Sequence, residues 1–114
     1  MVRIKRVYDE PKRGDGARIL VDRIRPRGLS KDKARVDRWL KQIAPSTRLR
    51  KWFGHDPEKW TEFKRKYFNE LDAKEDLVRW IVEKSKEKRV TLLYGAKNEK
   101  NNNAVALKEY IESL

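Results

Sequence analysis

Residues 17–30 read Ala-Arg-Ile-Leu-Val-Asp-Arg-Ile-Arg-Pro-Arg-Gly-Leu-Ser. The apolar run Ile19-Leu20-Val21 stops at Asp22, and Arg23, Arg25 and Arg27 follow, with Pro26 and Gly28 breaking the backbone among them. A short, continuous apolar run predicts a strand over residues 18–22 that is buried on both faces, the pattern of a parallel sheet. Charge delivered to the loop at the C-terminal end of such a strand is the usual setting of a ligand site in open α/β sheets. Ser30 is placed to cap a short helix over residues 31–35.

Upstream, residues 3–8 carry Ile4, Val7 and Tyr8 among basic residues and predict a first strand. The Pro- and Gly-containing stretch 9–16 reads as a loop. Its eight residues are fewer than the dozen or so that a crossover between parallel strands usually takes. The first two strands are therefore expected to be antiparallel, or merely adjacent.

Downstream, Val36, Trp39, Leu40 and Ile43 have helical spacing, with a third strand as the alternative, and Pro45 ends the segment. Ser46 can cap a short helix whose apolar face is Leu49, Trp52 and Phe53 and whose stop is Gly54. Asp56-Pro57 restarts a helix, with Asp as cap and Pro at its first position. Trp60, Phe63, Tyr67 and Leu71 then share one helical face. Asp72 with Glu75 suggests a capping box for a helix to about residue 86, with Leu77, Val78, Ile81 and Val82 inward. Residues 89–95, Arg-Val-Thr-Leu-Leu-Tyr-Gly, are the clearest strand. A last helix from residue 103 to the end is expected to bury Ala104, Leu107, Ile111 and Leu114. Strands separated by helices predict an α/β fold: a small, mostly parallel sheet of about four strands with helices packed on it, in Rossmann- or flavodoxin-like layering. The handedness of crossovers places the ends of the second and fourth strands on one edge.

The chain has 114 residues, a length that fits one α/β domain over residues 1–114. Without an apolar run near the ~20 residues of a membrane helix, and without a signal-type stretch behind Met-Val-Arg-Ile-Lys-Arg, the expectation is a cytoplasmic protein with no membrane partner. The absence of cysteine excludes disulfides, thiolate metal sites and a cysteine nucleophile. Charged residues form 42% of the chain and the net charge is +12. Heat-adapted proteins share that charge density and the scarcity of Met and Gln. The sign of the charge favours an anionic partner, either a phosphate-bearing small molecule or nucleic acid.

Two stretches can support chemistry. Guanidinium groups after Asp22 suit phosphate and carboxylate geometry, against the alternative that they pair with Asp22 or face water. Tyr94-Gly95-Ala96-Lys97, followed by Asn101-Asn102-Asn103 at a helix start, resembles an anion cradle built on free backbone N–H groups. One asparagine is expected to serve as the helix cap instead. The glycine spacing of a P-loop is missing. His55, the single histidine, is the candidate general base, and its isolation argues against a zinc site. No metal and no cofactor are expected. Of the aromatic residues, most sit at helical spacing and belong in the core; Phe68 and Trp80 lie off the stripes and are expected to be partly exposed.

Asp22-Arg23-x-x-Pro26-Arg27-Gly28, Trp39-Leu40-Lys41-x-x-Ala44-Pro45-Ser46, Leu49-Arg50-x-Trp52-Phe53-x-His55-Asp56-Pro57 with Trp60, and Thr91-Leu92-Leu93-Tyr94-x-Ala96-Lys97 together resemble the YeaO-like branch of a widespread family of unknown function. The resemblance runs over nearly the whole chain. It implies a small α/β domain and favours residues 36–43 as a strand leading to Ala44-Pro45-Ser46. It brings no activity, substrate or cofactor. It marks Asp22, Arg23, Pro26, Arg27, His55, Tyr94, Lys97 and Asn102 as signature positions. The family usually carries Trp between the two arginines, where this chain has Arg25, and often histidine near Asn101 and Asn103. Taken together, Asp22, Arg23, Arg27, Lys97 and Asn102 are the expected ligand-binding residues, with His55 beside them if segment 44–57 folds over the strand ends.

Overall fold

A computed structural model describes residues 2–114, Lys31 by its backbone alone. Four strands, β1 (Val2–Arg6), β2 (Ala17–Leu20), β3 (Arg38–Trp39) and β4 (Val90–Tyr94), form one sheet in the order β1-β4-β2-β3. Every pairing is parallel, with Val2 and Ala17 both opposite Val90, and Ile19 opposite Arg38. The helices are α1 (Lys31–Ala34), α2 (Thr47–Phe53), α3 (Trp60–Asp72), α4 (Glu75–Glu87) and α5 (Asn103–Glu112). Among the described residues no helix is long and apolar enough to cross a membrane.

The expectation for the first two strands is overturned. β1 and β2 are parallel, and β4 lies between them. The connection over residues 7–16 contains only a 3₁₀ turn, Arg13–Asp15. Ten residues reach at most about 33 Å, enough to return along a strand of about 17 Å and step across two strand spacings. A helical crossover is common but not required by chain length. Gly16 makes the entry to β2 possible. Its φ is +67°, and a Cβ there would lie 2.1 Å from the Arg89 carbonyl oxygen, the group that accepts the Ala17 N–H at 2.8 Å.

The two sides of the sheet are covered differently. Alternation places Ile19, Val21, Val90, Leu92 and Tyr94 in the larger core cluster with Phe63, Tyr67, Leu71, Val78, Ile81 and Leu107 from α3, α4 and α5. Leu20 and Leu93 belong to a smaller cluster with Val7 and Ala34, closed by Leu29 and Val36. Next to it Arg18 is buried and charged. Its guanidinium meets Asp15 at 2.5 Å and donates to the Ala34 carbonyl at 2.7 Å, while Lys5 reaches Asp15 at 3.1 Å. Thr91 Oγ1 donates to the Asp15 carbonyl.

Several helix ends follow the sequence signals. Ser46 Oγ accepts from Leu49 N, Asp56 Oδ1 from Glu58 N and Ser30 Oγ from Lys33 N. Gly54 closes α2 in the left-handed region. Three expectations need correction. Residues 36–43 hold strand only at Arg38–Trp39, then a 3₁₀ turn over Lys41–Ile43; that turn buries Leu40 and Ile43, which is why the spacing looked helical. Asp72 does not box α4. It is the last residue of α3, its carboxylate accepts the Tyr110 hydroxyl at 2.6 Å, and Lys74 occupies the cap position of α4 without a side-chain cap. Leu114 is 73% exposed because α5 ends at Glu112, and Ile111 is half-buried. Phe68 and Trp80 are half-buried as expected, whereas Trp39 and Trp52 are the exposed tryptophans, at 38% and 37%.

Candidate functional site

The ends of β2 and β4 are neighbours, and a cleft of about 270 Å³ opens beyond them. Its floor is Asp22. Val21 N is held by the Leu93 carbonyl at 3.1 Å, so the chain leaves the sheet with Asp22 turned toward the end of β4. There Gly95 N donates to Asp22 Oδ2 at 2.9 Å, and Asn103 Nδ2 donates to Asp22 Oδ1 at 3.0 Å and to the Val21 carbonyl at 3.0 Å. Gly95 allows this approach, since a Cβ at that position would stand 3.1 Å from Asp22 Oδ2 and 3.3 Å from Pro26 Cγ. Burial pushes the Asp22 carboxyl above its ordinary value, and the Asn103 and Gly95 donors and the nearby Arg50 and His55 counter that rise only in part. Asn103 is the first residue of α5. Asp22 thus takes the position beside a helix N-terminus where an external anion would otherwise be favoured.

Ala44 and Pro45 form another part of the lining, and the segment 43–46 that carries them is held from several sides. Arg23 Nε donates to the Pro45 carbonyl at 3.0 Å and its Nη2 to the Ala44 carbonyl at 3.2 Å. Lys74 Nζ also donates to the Ala44 carbonyl, at 3.0 Å, and the Tyr67 hydroxyl donates to the Ile43 carbonyl at 2.7 Å. Burial pushes the Tyr67 hydroxyl far up and keeps it a neutral donor. Ser46 N and Oγ both donate to the Glu70 carboxylate, at 2.8 and 2.6 Å. Three successive carbonyls and the following cap are therefore tied to the loop after β2, to α3 and to the α3–α4 junction.

The remaining lining is of two kinds. Ile24, Pro26, Ala44, Pro45, Phe53 and Phe63 are apolar, and Tyr8 stands at the rim with its hydroxyl donating to the Arg27 carbonyl at 2.9 Å. Arg25, Arg50 and His55 are exposed and line the cleft. The structure gives the side chains of these three no hydrogen-bond or ion-pair partner in the described protein. His55 follows Gly54 out of α2 with φ +60°, and its ring lies 6.3 Å from that of Phe53. A non-glycine residue in this region is uncommon, and such strain gathers at binding sites.

Of the residues expected from sequence, Asp22, Arg23, His55 and Asn102 line the cleft together. Arg23 holds the wall. Asn102 caps α5, accepting Val105 N at 3.0 Å and donating to the Asn98 carbonyl at 2.9 Å. Arg27 and Lys97 are exposed and lie outside the lining. Arg50 and Asn103 escaped the sequence reading. Arg50 stood inside the Leu49–Pro57 motif as a helix residue, and Asn103 stood in a run of three asparagines with nothing to single it out. Among the described residues no group of three or more His, Cys, Asp or Glu side chains could hold a metal ion.

Residues 1–114 match the family described as the inactive DUF488-N3 subclade. The uncharacterised protein YeaO of Escherichia coli strain K12 is 41% identical over 113 residues, 99% of this chain and 98% of that protein. An uncharacterised protein of Mycobacterium tuberculosis strain H37Rv is 50% identical over 70 residues, 61% of this chain and 59% of its own length. No solved structure gives a significant match. The chain belongs to the DUF488-N3 inactive subclade, as the YeaO-like residue pattern implied.

Proposed function

We propose that this member of the subclade binds a small phosphate-bearing anion in the cleft at the ends of β2 and β4, with Arg50 and His55 as its main basic contacts and Arg25 beside them. The observation that carries this reading is that three basic side chains line one cleft and none is engaged by the described protein. Arg23 is different: its guanidinium is held by two carbonyls and adds positive potential rather than a free fork. Unpaired guanidinium groups beside apolar walls make charge-assisted bonds to phosphate that are stronger than in open water. The subclade's description as inactive is in keeping with binding without turnover. Nucleic acid is the less favoured partner. On α3 and α4, Arg65 pairs with Glu62, Arg79 with Asp76 and Lys86 with Glu83, which interrupts the continuous basic track that a polyanion uses.

Calorimetric titration of the whole chain with inorganic phosphate tests the proposal. Arg50→Gln should weaken binding by about 10-fold or more, the scale of one charge-assisted hydrogen bond. Arg27→Ala and Lys97→Ala should leave it within about twofold, since surface charges off the site act weakly. Unchanged affinity in Arg50→Gln, or loss in the Arg27 and Lys97 variants alone, would overturn the reading.

A further inference from the structure

We infer that the ligand of this cleft is a purine nucleotide whose base presents adjacent N–H donors to Asp22 and Asn103, the guanine pattern, with its phosphate at Arg50 and His55. The inference rests on the anion reading above and extends it to the inner end of the cleft.

Asp22 and Asn103 have unused hydrogen-bonding capacity. An ionised carboxylate has about four acceptor sites. The described protein fills two on Asp22, one on each oxygen, from Gly95 N and Asn103 Nδ2. Asn103 uses its amide donors on Asp22 and the Val21 carbonyl, and its own side-chain oxygen has no donor in the described protein. Asn102, by contrast, is engaged at both ends by Val105 N and the Asn98 carbonyl. Asp22 and Asn103 therefore offer free acceptors to the cleft. A group that fits it carries N–H or O–H donors, whose bonds to the Asp22 carboxylate would be charge-assisted.

The other walls of the cleft are largely apolar. Pro26 and Pro45 line them, and Phe53 and Phe63 stack on each other at 4.3 Å between ring centroids. Such walls favour a planar ring over a flexible amine. Arg25, Arg50 and His55 are exposed whereas Asp22 and Asn103 are half-buried, so the basic side chains stand on the solvent side. Donor end inward, flat body between, anion outward is the order of a base, a pentose and a phosphate. The volume of about 270 Å³ lies just below the range usual for drug-sized ligands, which suits one nucleotide. Guanine has a ring N–H next to an exocyclic amine. Adenine sets a ring acceptor next to its amine, and that acceptor would face the Asp22 carboxylate.

The test titrates the unmodified chain with inorganic phosphate and with the 5′-monophosphates of guanosine, inosine and adenosine. Guanosine monophosphate should bind at least about 10-fold more tightly than adenosine monophosphate, with inosine monophosphate, which lacks the exocyclic amine, between them. Equal affinity for all three nucleotides, with phosphate still bound, would overturn the base assignment and leave the anion reading standing. Failure of phosphate and of every nucleotide to bind would overturn both. In Asp22→Asn the preference for guanosine monophosphate should fall to about twofold or less while phosphate binding persists; a preference that survives in a folded Asp22→Asn protein would also overturn the assignment. The three-nucleotide comparison needs no variant, so it decides even if Asp22→Asn fails to fold.

Discussion

Asp22 is the residue on which the cleft turns, and its chemistry is set by where it sits. Burial raises its pKa, and the Asn103 and Gly95 donors with the nearby Arg50 and His55 oppose that only in part. Between the ordinary carboxylate value and the raised one, the folded protein holds a proton that the unfolded chain has released. Stability therefore falls as pH rises through that window. Asp22→Asn should remove this fall while itself costing about 1–3 kcal/mol, because an amide oxygen cannot accept from Gly95 and Asn103 as two carboxylate oxygens do. Urea unfolding of both proteins from about pH 3 to pH 8 checks it: the gap between them should narrow as pH rises. A constant gap would show that Asp22 titrates alike in both states. The acidic identity of position 22 was plain from sequence, and so was its place after a buried strand. Its two donors were not, because Gly95 and Asn103 are 73 and 81 residues away in the chain and no local pattern ties them to it.

At the scale of elements, the turn over Lys41–Ile43 and the start of α2 make a corner that is held by side chains from elsewhere. Sequence reading recognised Ser46 as a cap and Pro45 as a stop, both local signals of backbone conformation. It assigned Arg23 to a ligand, since an arginine after a strand carries no mark of whether its partner is a phosphate or a carbonyl. The structure places that guanidinium across the Ala44 and Pro45 carbonyls. Arg23→Ala should destabilise the protein by about 2 kcal/mol, the scale of charged hydrogen bonds to half-buried carbonyls. Arg23→Lys should recover only part of that, because an ammonium lacks the planar fork. Denaturant midpoints of the three proteins measure it. Full recovery in Arg23→Lys would mean that charge near the corner, rather than two directed bonds, is what matters.

Over the whole molecule, the two faces of the sheet are stabilised by different physics. One face is covered by α3, α4 and α5 and is apolar. The other is closed by the loop over residues 9–16 and by the segment around α1, with Arg18 buried between Asp15 and the Ala34 carbonyl. Burial alone would raise the Asp15 carboxyl, but hydrogen bonds from Lys12 N, Lys5 and Arg18 outweigh it and hold the group below its ordinary value. Stability from Asp15 is therefore full above the ordinary carboxylate value and is lost as pH falls through the depressed one. Asp15→Asn should cost about 3 kcal/mol at neutral pH, the low end for breaking a buried pair, since Arg18 keeps its carbonyl acceptors. The difference between the two proteins should shrink in acid. A cost that is the same at about pH 2 and pH 7 would show that Asp15 acts by packing and not by charge.

The sequence by itself determined most of the elements and their kind, residues 36–43 excepted. The run Ile19–Val21, the strand Val90–Tyr94 and the helical faces of α3 and α4 are local periodicities, and the caps at Ser46 and Asp56 are local chemistry; each depends on residues a few positions apart. The tertiary structure alone decided the order β1-β4-β2-β3, because a ten-residue connection can pair its strands or pass beside a third, and only the completed sheet selects between them. It likewise decided which basic residues face the cleft. Three arginines in one loop look alike in sequence, yet Arg23 is held by carbonyls, Arg25 lines the cleft and Arg27 lies outside it, while Arg50 and Asn103 arrive from α2 and α5. Direction in space depends on long-range packing, and that is information no short stretch of chain contains.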